Sequence, residues 1–295
     1  MIWKGIKVNI NNYQSVFRGY PKGTLEVIRG AILDDTNLGD FIDLYGKDCH
    51  LLFEIKVSLD SGLDSDLIFS ILKGSSGSFD VLNKVVNIKS RGFNIKPLLR
   101  YFNIGLSVSH INYILNWYER GFSLERYDFS ILPSSLLEIF DYGLSLNYPM
   151  YIFNNGVQYE EGYIKACLKI LSNKKSVDMF LDGSWYIDVL EMLSGYSKSK
   201  HYDKLLEYVT KNITTSMLEE LYHCCRIGMK LDEVSKINDD GLYVYEPVKV
   251  RIIREAFLKG YDYKKLMNPE LSVLDMSTML NTMIISPNKK ISGRL

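Results

Sequence analysis

A short motif recurs along the chain at nearly regular intervals: a glycine, then an apolar residue, then a small polar or charged residue. It occurs at Gly62-Leu63-Asp64, Gly92-Phe93-Asn94, Gly121-Phe122-Ser123, Gly143-Leu144-Ser145, Gly228-Met229-Lys230 and Gly260-Tyr261-Asp262. The intervals are 30, 29, 22, 85 and 32 residues, and the longest is close to three periods of just under 30. Periods of about 20–50 residues are typical of proteins in which each repeat packs on the next. The motif therefore predicts an array of similar repeats.

The residues before these glycines have the apolar spacing of an amphipathic helix. Ile111, Ile114, Leu115 and Tyr118 precede Gly121 with the i, i+3, i+4, i+7 spacing. Glycine readily takes the left-handed conformation that ends a helix, and the next apolar residue packs back on the last turn as in a Schellman motif. The third residue then supplies a side-chain oxygen that caps the following helix. The motif thus predicts a helix end joined to a helix start, which is an αα-hairpin.

Each repeat is predicted to have a short second helix and a new N-terminal signal after it. The second helices are predicted over residues 95–102, 124–128, 231–237 and 263–267. Ser135, Ser216 and Ser272 are predicted N-caps, and Pro247 is predicted at a first helical position. Three weaker helix ends fall at 34–37, 173–176 and 194–197. Together these features predict about nine repeats; the alternative is an irregular helical domain whose helices end in glycine.

The predicted organisation has a strand-like cap, two helical sub-arrays and a loose tail. The segment from Ile6 to Ile10 alternates apolar and polar residues, as a half-buried strand does. Residues 242–245 are either a second strand-like segment or part of a long loop between repeats. The serine-rich run 74–78 is interpreted as a loop before a helix capped by Ser78, with a hinge as the alternative. The predicted boundaries are 1–20, 21–143, 144–285 and 286–295. The predicted fold class is therefore mainly α, an α-solenoid-like array of short αα-hairpins. The sequence also allows a small N-terminal β element.

Composition is that of a folded protein without a membrane segment. Hydrophobic residues make up 46% of the 295 residues, which is enough to bury a core. The chain has no apolar run of about 18 residues, and its N-terminal Met1-Ile2-Trp3-Lys4-Gly5 does not resemble a signal peptide. We therefore expect a cytoplasmic protein without a membrane partner.

The net charge is zero, because 35 basic residues balance 35 acidic ones. This argues against binding to nucleic acid through bulk charge. A local cluster leaves that function open as an alternative: Lys84, Lys89, Arg91, Lys96 and Arg100. The simpler interpretation of the cluster is a solvated helix face.

The chain contains no recognisable catalytic or metal-binding motif. Its cysteines, Cys49, Cys167, Cys224 and Cys225, form no C-x-x-C pair. The histidines His110 and His201 have no motif around them, and no G-x-S-x-G, P-loop or H-E-x-x-H sequence occurs. We therefore predict no enzyme activity, no metal site and no cofactor.

The stretch 253–272, IREAFLKGYDYKKLMNPELS, resembles one repeat of a known kind. It reads roughly as an I-R-x-x-L-x-x-G-x-D helix end, a short second helix and an N-P-x-F/L-S ending. In this it is similar to the degenerate helical-repeat proteins of low-GC Gram-positive phages, plasmids and other mobile elements. At Gly62, Gly92 and Gly121 only the helix end matches. The resemblance implies a helical array and a mobile-element origin, and it implies no catalytic or binding residue.

A repeat array without chemistry predicts a protein-binding scaffold. We expect it to bind another protein or itself, and a phage or mobile-element accessory protein that inhibits a host defence protein is one concrete form. Aromatic residues dominate interface energies, so the predicted contact residues are aromatic side chains near the motifs: Trp117, Tyr118, Tyr142, Trp185 and Tyr261. The alternative for each is packing between neighbouring repeats. A nucleic-acid-binding array and a self-assembling structural protein are the alternative functions.

Overall fold

A computed structural model describes residues 1–74, 79–102 and 104–285. The chain divides into two compact units, unit 1 of Met1–Asn154 and unit 2 of Asn155–Leu295. The sequence placed the boundary between sub-arrays at 143/144. The predicted serine-rich loop or hinge, at 75–78, and the predicted tail, 286–295, lie outside the described residues.

Unit 1 begins with a β-hairpin and continues as helices. The strands are β1 Ile2–Trp3 and β2 Ile6–Lys7. The helices are α1 Tyr13–Val16, α2 Lys22–Leu33, α3 Gly39–Tyr45, α4 Cys49–Asp60, α5 Ser65–Gly74, α6 Phe79–Ser90, α7 Leu99–Phe102, α8 Val108–Glu119 and α9 Leu137–Ser145. Short 3-10 turns lie at Lys96–Leu98, Leu124–Arg126, Ser134–Leu136 and Met150–Phe153.

Unit 2 is built from the same two kinds of helical element. Its helices are α10 Glu161–Ser172, α11 Ile187–Tyr196, α12 Tyr202–Leu206, α13 Thr215–Arg226, α14 Pro247–Leu258 and α15 Val273–Ile285. Its 3-10 turns are Asp178–Phe180, Leu231–Glu233 and Tyr263–Leu266. The prediction of a mainly α-helical fold is confirmed.

The longer helices pack on one another in chain order within each unit. In unit 1, α2 contacts α4, α4 contacts α6, α6 contacts α8 and α8 contacts α9. In unit 2, α10 contacts α11, α11 contacts α13, α13 contacts α14 and α14 contacts α15. Their apolar faces form the cores, since Ile111, Ile114 and Leu115 of α8 and Val250 and Ile253 of α14 are almost fully buried.

Most of the predicted second helices are shorter than predicted. Residues 124–128, 231–237 and 263–267 were predicted as helices, but only a single 3-10 turn forms in each. Residues 95–102 form a 3-10 turn followed by the four-residue α7. One buried leucine per turn, such as Leu124 or Leu231, is enough to anchor it against the preceding helix.

The glycine motif ends helices by the predicted mechanism. At Gly121, φ is +81°; its N–H donates to the carbonyl of Tyr118 (2.9 Å), and the N–H of Phe122 donates to that of Trp117 (3.0 Å). These two bonds define a Schellman motif. The same pair of bonds recurs at Gly62, Gly92, Asn147, Lys174, Gly228 and Gly260, all with positive φ.

One predicted helix end is wrong, and its correction makes the spacing more regular. Gly143 lies inside α9, and the helix ends instead at Asn147, where φ is +60°. Lys174 is the left-handed residue at the weak end predicted over 173–176. The ends at 62, 92, 121, 147 and 174 are separated by roughly 26 to 30 residues. The irregular interval of 22 residues therefore came from counting a glycine that does not end a helix.

Predicted caps are confirmed at some helix starts and wrong at others. The carboxylate of Asp64 accepts from the N–H of Leu67 (2.7 Å), Pro247 is the first residue of α14, and Ser272 caps α15. Ser216 is not a cap, because Thr214 accepts from the N–H of Met217 and starts α13 two residues earlier. The predicted cap at Ser135 is also absent, since residues 134–136 form a 3-10 turn before α9.

The predicted N-terminal β element is present but small. Ile2 pairs with Lys7 and Trp3 pairs with Ile6, across a turn in which Lys4 and Gly5 have positive φ. The alternation from Ile6 to Ile10 thus yields only a two-residue strand. Residues 242–245 form no strand, and Tyr243 makes a single bridge to Ile237. In the part of the chain that the structure describes, no helix has the length and apolar character needed to cross a membrane.

Candidate binding groove

Unit 1 contains an open groove of about 370 Å³ between two successive helix ends. We call it the Tyr151 groove. Its lining is Phe122, Ser123, Arg126, Tyr127, Leu144, Asn147, Tyr148, Pro149 and Tyr151. A volume of this size lies within the usual range for ligand pockets, about 300–1,000 Å³, and aromatic side chains dominate the walls.

The two Schellman motifs position the walls of the groove. Phe122 directly follows Gly121 and Tyr148 directly follows Asn147, so each aromatic residue takes the position that packs back on its helix. Leu144, on the last turn of α9, and Tyr127 are buried and form the base. The aromatic residues that directly follow two successive helix ends therefore line the same groove.

Two arginines stack on aromatic rings at the groove. The guanidinium carbon of Arg126 lies 4.9 Å from the ring centre of Tyr151, and that of Arg120 lies 4.8 Å from the ring centre of Phe122. Arg120 is also hydrogen-bonded to the carboxylate of Asp141. Within the described residues Arg126 has no such acidic partner, and the groove lining includes no carboxylate. The groove therefore combines apolar area with one unneutralised cation.

Tyr127 contributes a neutral hydroxyl group. Burial raises the pKa of its phenol to about 12, an effect larger than the opposing influence of the nearby Arg126. The phenol therefore remains protonated across the physiological pH range. Arg126 supplies the positive charge at this site without a phenolate to neutralise it.

The structure places only some of the predicted contact aromatics at the surface. Tyr142 is 59% exposed, and Tyr118 and Tyr261 are partly exposed. The phenol of Tyr118 donates to the backbone carbonyl of Asn94 in the preceding repeat. None of these three lines the Tyr151 groove.

The prediction that Trp117 and Trp185 are accessible contact residues is wrong. Trp117 is fully buried, and its Nε1 donates to Oδ1 of Asp141 (2.8 Å). Trp185 is 6% exposed and donates to the carbonyl of Met179 (2.9 Å). Both rings pack in aromatic clusters inside their own units, Trp117 beside Phe129 and Trp185 beside Phe180. Packing between neighbouring elements explains both.

Most of the basic cluster participates in contacts between neighbouring helices. Lys84 donates to Asn112 of the next helix (2.9 Å), and Arg91 pairs with Glu119 (2.7 Å). Lys89 donates to the carbonyl of Gly62 in the preceding repeat. Arg100 stacks on Tyr101, and Lys96 is exposed without a side-chain partner among the described residues. Of these cations Arg91 is paired with a carboxylate, and Lys84 and Lys89 are held by contacts with neighbouring helices.

Buried cysteines are poor nucleophiles in this fold. Burial raises the pKa of the Cys167 and Cys224 thiols to about 12, so neither forms a thiolate near neutral pH. Across the described ranges, His, Cys, Asp and Glu side chains form no group of three or more able to hold a metal ion.

Sequence reasoning missed the Tyr151 groove. Phe122 is the apolar residue of a glycine motif, but the motif at Gly143 predicts a helix end before Asn147 and therefore does not point to Tyr148. Arg126 and Tyr151 lie in or next to short 3-10 turns without periodic signal. Recognising asparagine as the second residue type that ends helices is the signal that could have found Tyr148.

No protein-family model matches the chain, and neither the curated proteins nor the solved structures include a significant match.

Proposed function

We propose that this protein is a non-enzymatic protein-binding scaffold made of stacked helical repeats, and that the Tyr151 groove is one of its binding sites. The observation that supports this most is the groove itself, an open aromatic surface in which Tyr151 is 36% exposed. Tyrosine and arginine are the residue types most enriched in protein interfaces, because they combine apolar area with directed hydrogen bonds.

The repeat architecture is supported by three observations. Longer helices contact the next longer helix in chain order, and their ends recur at nearly constant spacing. Polar contacts also join residues roughly one period apart, such as Arg91 with Glu119 and Tyr208 with Asp232 (2.8 Å). An α-solenoid-like arrangement within each unit explains all three features, and such arrays commonly act by binding other proteins.

Nucleic-acid binding and self-assembly have less support. The cations of the basic cluster are mostly engaged in contacts between helices. The net charge of zero provides no long-range attraction to phosphate. Self-assembly through repeat ends stays an alternative function, which light scattering that shows a concentration-independent monomer would exclude.

Selection from a random peptide display library with the full chain as bait tests the binding function. We expect a consensus peptide whose binding falls roughly tenfold in Tyr151→Ala. Tyr186→Ala, which removes a more exposed tyrosine of unit 2, is the control and should leave binding unchanged. Thermal melts by circular dichroism check that both variants fold. Absence of any enriched peptide, or equal losses in the two variants, would contradict this function.

A host-directed role in the cytoplasm is the specific form suggested by the resemblance to mobile-element repeat proteins. We propose that the partner is then a bacterial protein whose activity is inhibited by binding. Tagged full-length protein should recover one stoichiometric partner from a low-GC Gram-positive lysate, and recovery should require Tyr151. A pulldown that yields no stoichiometric protein would exclude this role.

A further inference from the structure

The Tyr151 groove has an asymmetric distribution of charge. Its lining includes one cation, Arg126, and no carboxylate. The neighbouring Arg120 is already paired with Asp141, so only Arg126 lacks an acidic partner among the described residues of the groove and its rim. Charge complementarity therefore favours an anionic ligand over a neutral or basic one.

Stacking restricts the position of that cation. The guanidinium group of Arg126 lies 4.9 Å from the ring centre of Tyr151. In this arrangement the planar group keeps its N–H donors at its edge, where they can bind a carboxylate in a bidentate manner. Because the ring already limits the side chain, less conformational entropy is lost when a ligand binds.

The rest of the lining selects for apolar side chains and an extended backbone. Phe122, Tyr148 and Leu144 provide apolar surface, and Asn147 and Ser123 provide hydrogen-bonding groups. A space of about 370 Å³ accommodates a few side chains of one chain segment.

We propose that the Tyr151 groove binds an extended acidic peptide segment, in which one Asp or Glu pairs with Arg126 and neighbouring apolar residues contact Phe122 and Tyr148. This proposal rests on the protein-binding function proposed above and specifies the chemistry of its partner. Arg126 is the specificity-determining residue for charge, and the aromatic walls supply most of the contact area.

The test compares charge preference between the natural protein and variants of Arg126. The probes are the random peptide display library and synthetic peptides made from an enriched sequence with Glu, Gln or Lys at the acidic position. We expect the natural protein to enrich peptides with Asp or Glu and to bind the Glu peptide roughly tenfold or more tightly than the Gln peptide. Arg126→Gln should abolish this preference, and Arg126→Glu should reverse it toward the Lys peptide.

Arg29→Gln is the matched control, since Arg29 is an exposed arginine on α2 of the same unit. It removes the same charge and should leave the preference intact. A single-stranded oligonucleotide serves as the competing anionic probe. Tighter binding to this probe than to the acidic peptides, with dependence on Arg126, would overturn the proposal.

The outcomes separate this inference from the function on which it rests. Enriched peptides without an acidic residue, or a preference unchanged in Arg126→Glu, would overturn the acidic-ligand inference and leave protein binding standing. If no peptide is enriched at all, both proposals fail. Far-UV circular dichroism of the Arg126 variants confirms folding, which we expect because the side chain is exposed.

Discussion

The α-carbon of Gly143 faces the thioether of Met150 so closely that a Cβ there would lie 2.2 Å from Sδ. Met150 is fully buried and begins the 3-10 turn that packs on α9. Gly143 is therefore required for close packing rather than for ending a helix. This contact explains a glycine inside α9, where alanine would otherwise be favoured.

Replacing Gly143 with alanine should destabilise the protein. The added methyl group displaces Met150 from a filled core, which costs about 1–3 kcal/mol and exceeds the helix propensity gained. Urea denaturation measures the loss. The matched control is Gly195→Ala in α11, where nothing lies within 4 Å of the added Cβ; it should stabilise by up to about 1 kcal/mol. Equal effects of the two substitutions would contradict the packing role of Gly143.

Replacing Lys174 with glycine should stabilise the protein by about 0.5–1 kcal/mol, because glycine relieves the strain of a left-handed backbone. Lys174 has φ of +60° and an exposed side chain after α10. Lys169→Gly, inside the same helix, should have the opposite sign and a similar size. Differential scanning calorimetry of both variants provides the comparison. A destabilised Lys174→Gly protein would show that this helix end is not left-handed.

Removing the charge of Glu220 should weaken the contact between α13 and α14. Glu220 is 1% exposed and accepts from Nε of Arg251 (2.7 Å) and from Nη2 of Arg254 (2.9 Å). In Glu220→Gln an amide N–H₂ meets a guanidinium donor, so a loss of about 2 kcal/mol is expected. Glu219→Gln, at the exposed neighbouring position, is the control and should change the free energy of unfolding by less than about 0.5 kcal/mol. A loss no larger in Glu220→Gln than in Glu219→Gln would show that the two arginines do not depend on this carboxylate.

The ion cluster around Lys56 should make stability depend on pH in acid. Burial opposes the charged form of Asp60, but hydrogen bonds from Lys56 and Thr36 outweigh it and lower the pKa of this carboxyl below 3.8. A depressed carboxyl pKa stabilises the fold above the unfolded value, and this contribution is lost as pH falls through the folded value. Between about pH 4 and 2, the free energy of unfolding of Asp60→Asn should therefore fall less steeply with decreasing pH than that of the natural protein. Urea titrations at a series of pH values measure this. If the free energy of unfolding falls equally steeply with pH in the two proteins, Asp60 does not contribute.

The same ion cluster should make stability fall as pH rises in the alkaline range. Burial disfavours the charged form of Lys56, yet its hydrogen bonds to Asp34 and Asp60 (both 2.6 Å) and their charges raise its pKa above 10.5. Its contribution is complete below the unfolded value and lost as pH rises through the folded value. Lys56→Met should remove this alkaline dependence, and urea titrations above about pH 10 measure it. An unchanged alkaline slope in this variant would contradict the assignment to Lys56.

The local part of the fold was predictable because its signals act over a few residues. The helix ends at Gly62, Gly92, Gly121, Gly228 and Gly260 depend on a backbone conformation that glycine adopts with least strain, so the residue type reveals them. The cap at Asp64 and the start at Pro247 are local in the same way. Asn147 and Lys174 adopt the same conformation with weaker or no preference, and the glycine motif predicts the helix end at the nearby Gly143 instead of Asn147.

The candidate groove was not predictable by the same means. Trp117 and Tyr151 are both aromatic residues near a helix end, yet one is fully buried and the other is partly exposed. The burial of Trp117 depends on residues from elsewhere in the fold, since Asp141 accepts its indole N–H and Phe129 packs beside its ring. Likewise, the charges of Arg120 and Arg126 are equal, and only the position of Asp141 determines which arginine is neutralised.

The amino-acid sequence by itself determined the helical class, the approximate period and most helix ends, because apolar periodicity and backbone preference are properties of short segments. The tertiary structure alone decided which glycine fills a close contact, which aromatic residues remain accessible and which cation stays unpaired. Those outcomes depend on distances between residues of different helical elements, such as Gly143 and Met150 or Arg126 and Tyr151. Helices and their ends follow from local preferences, whereas the accessible surface depends on how neighbouring helices pack.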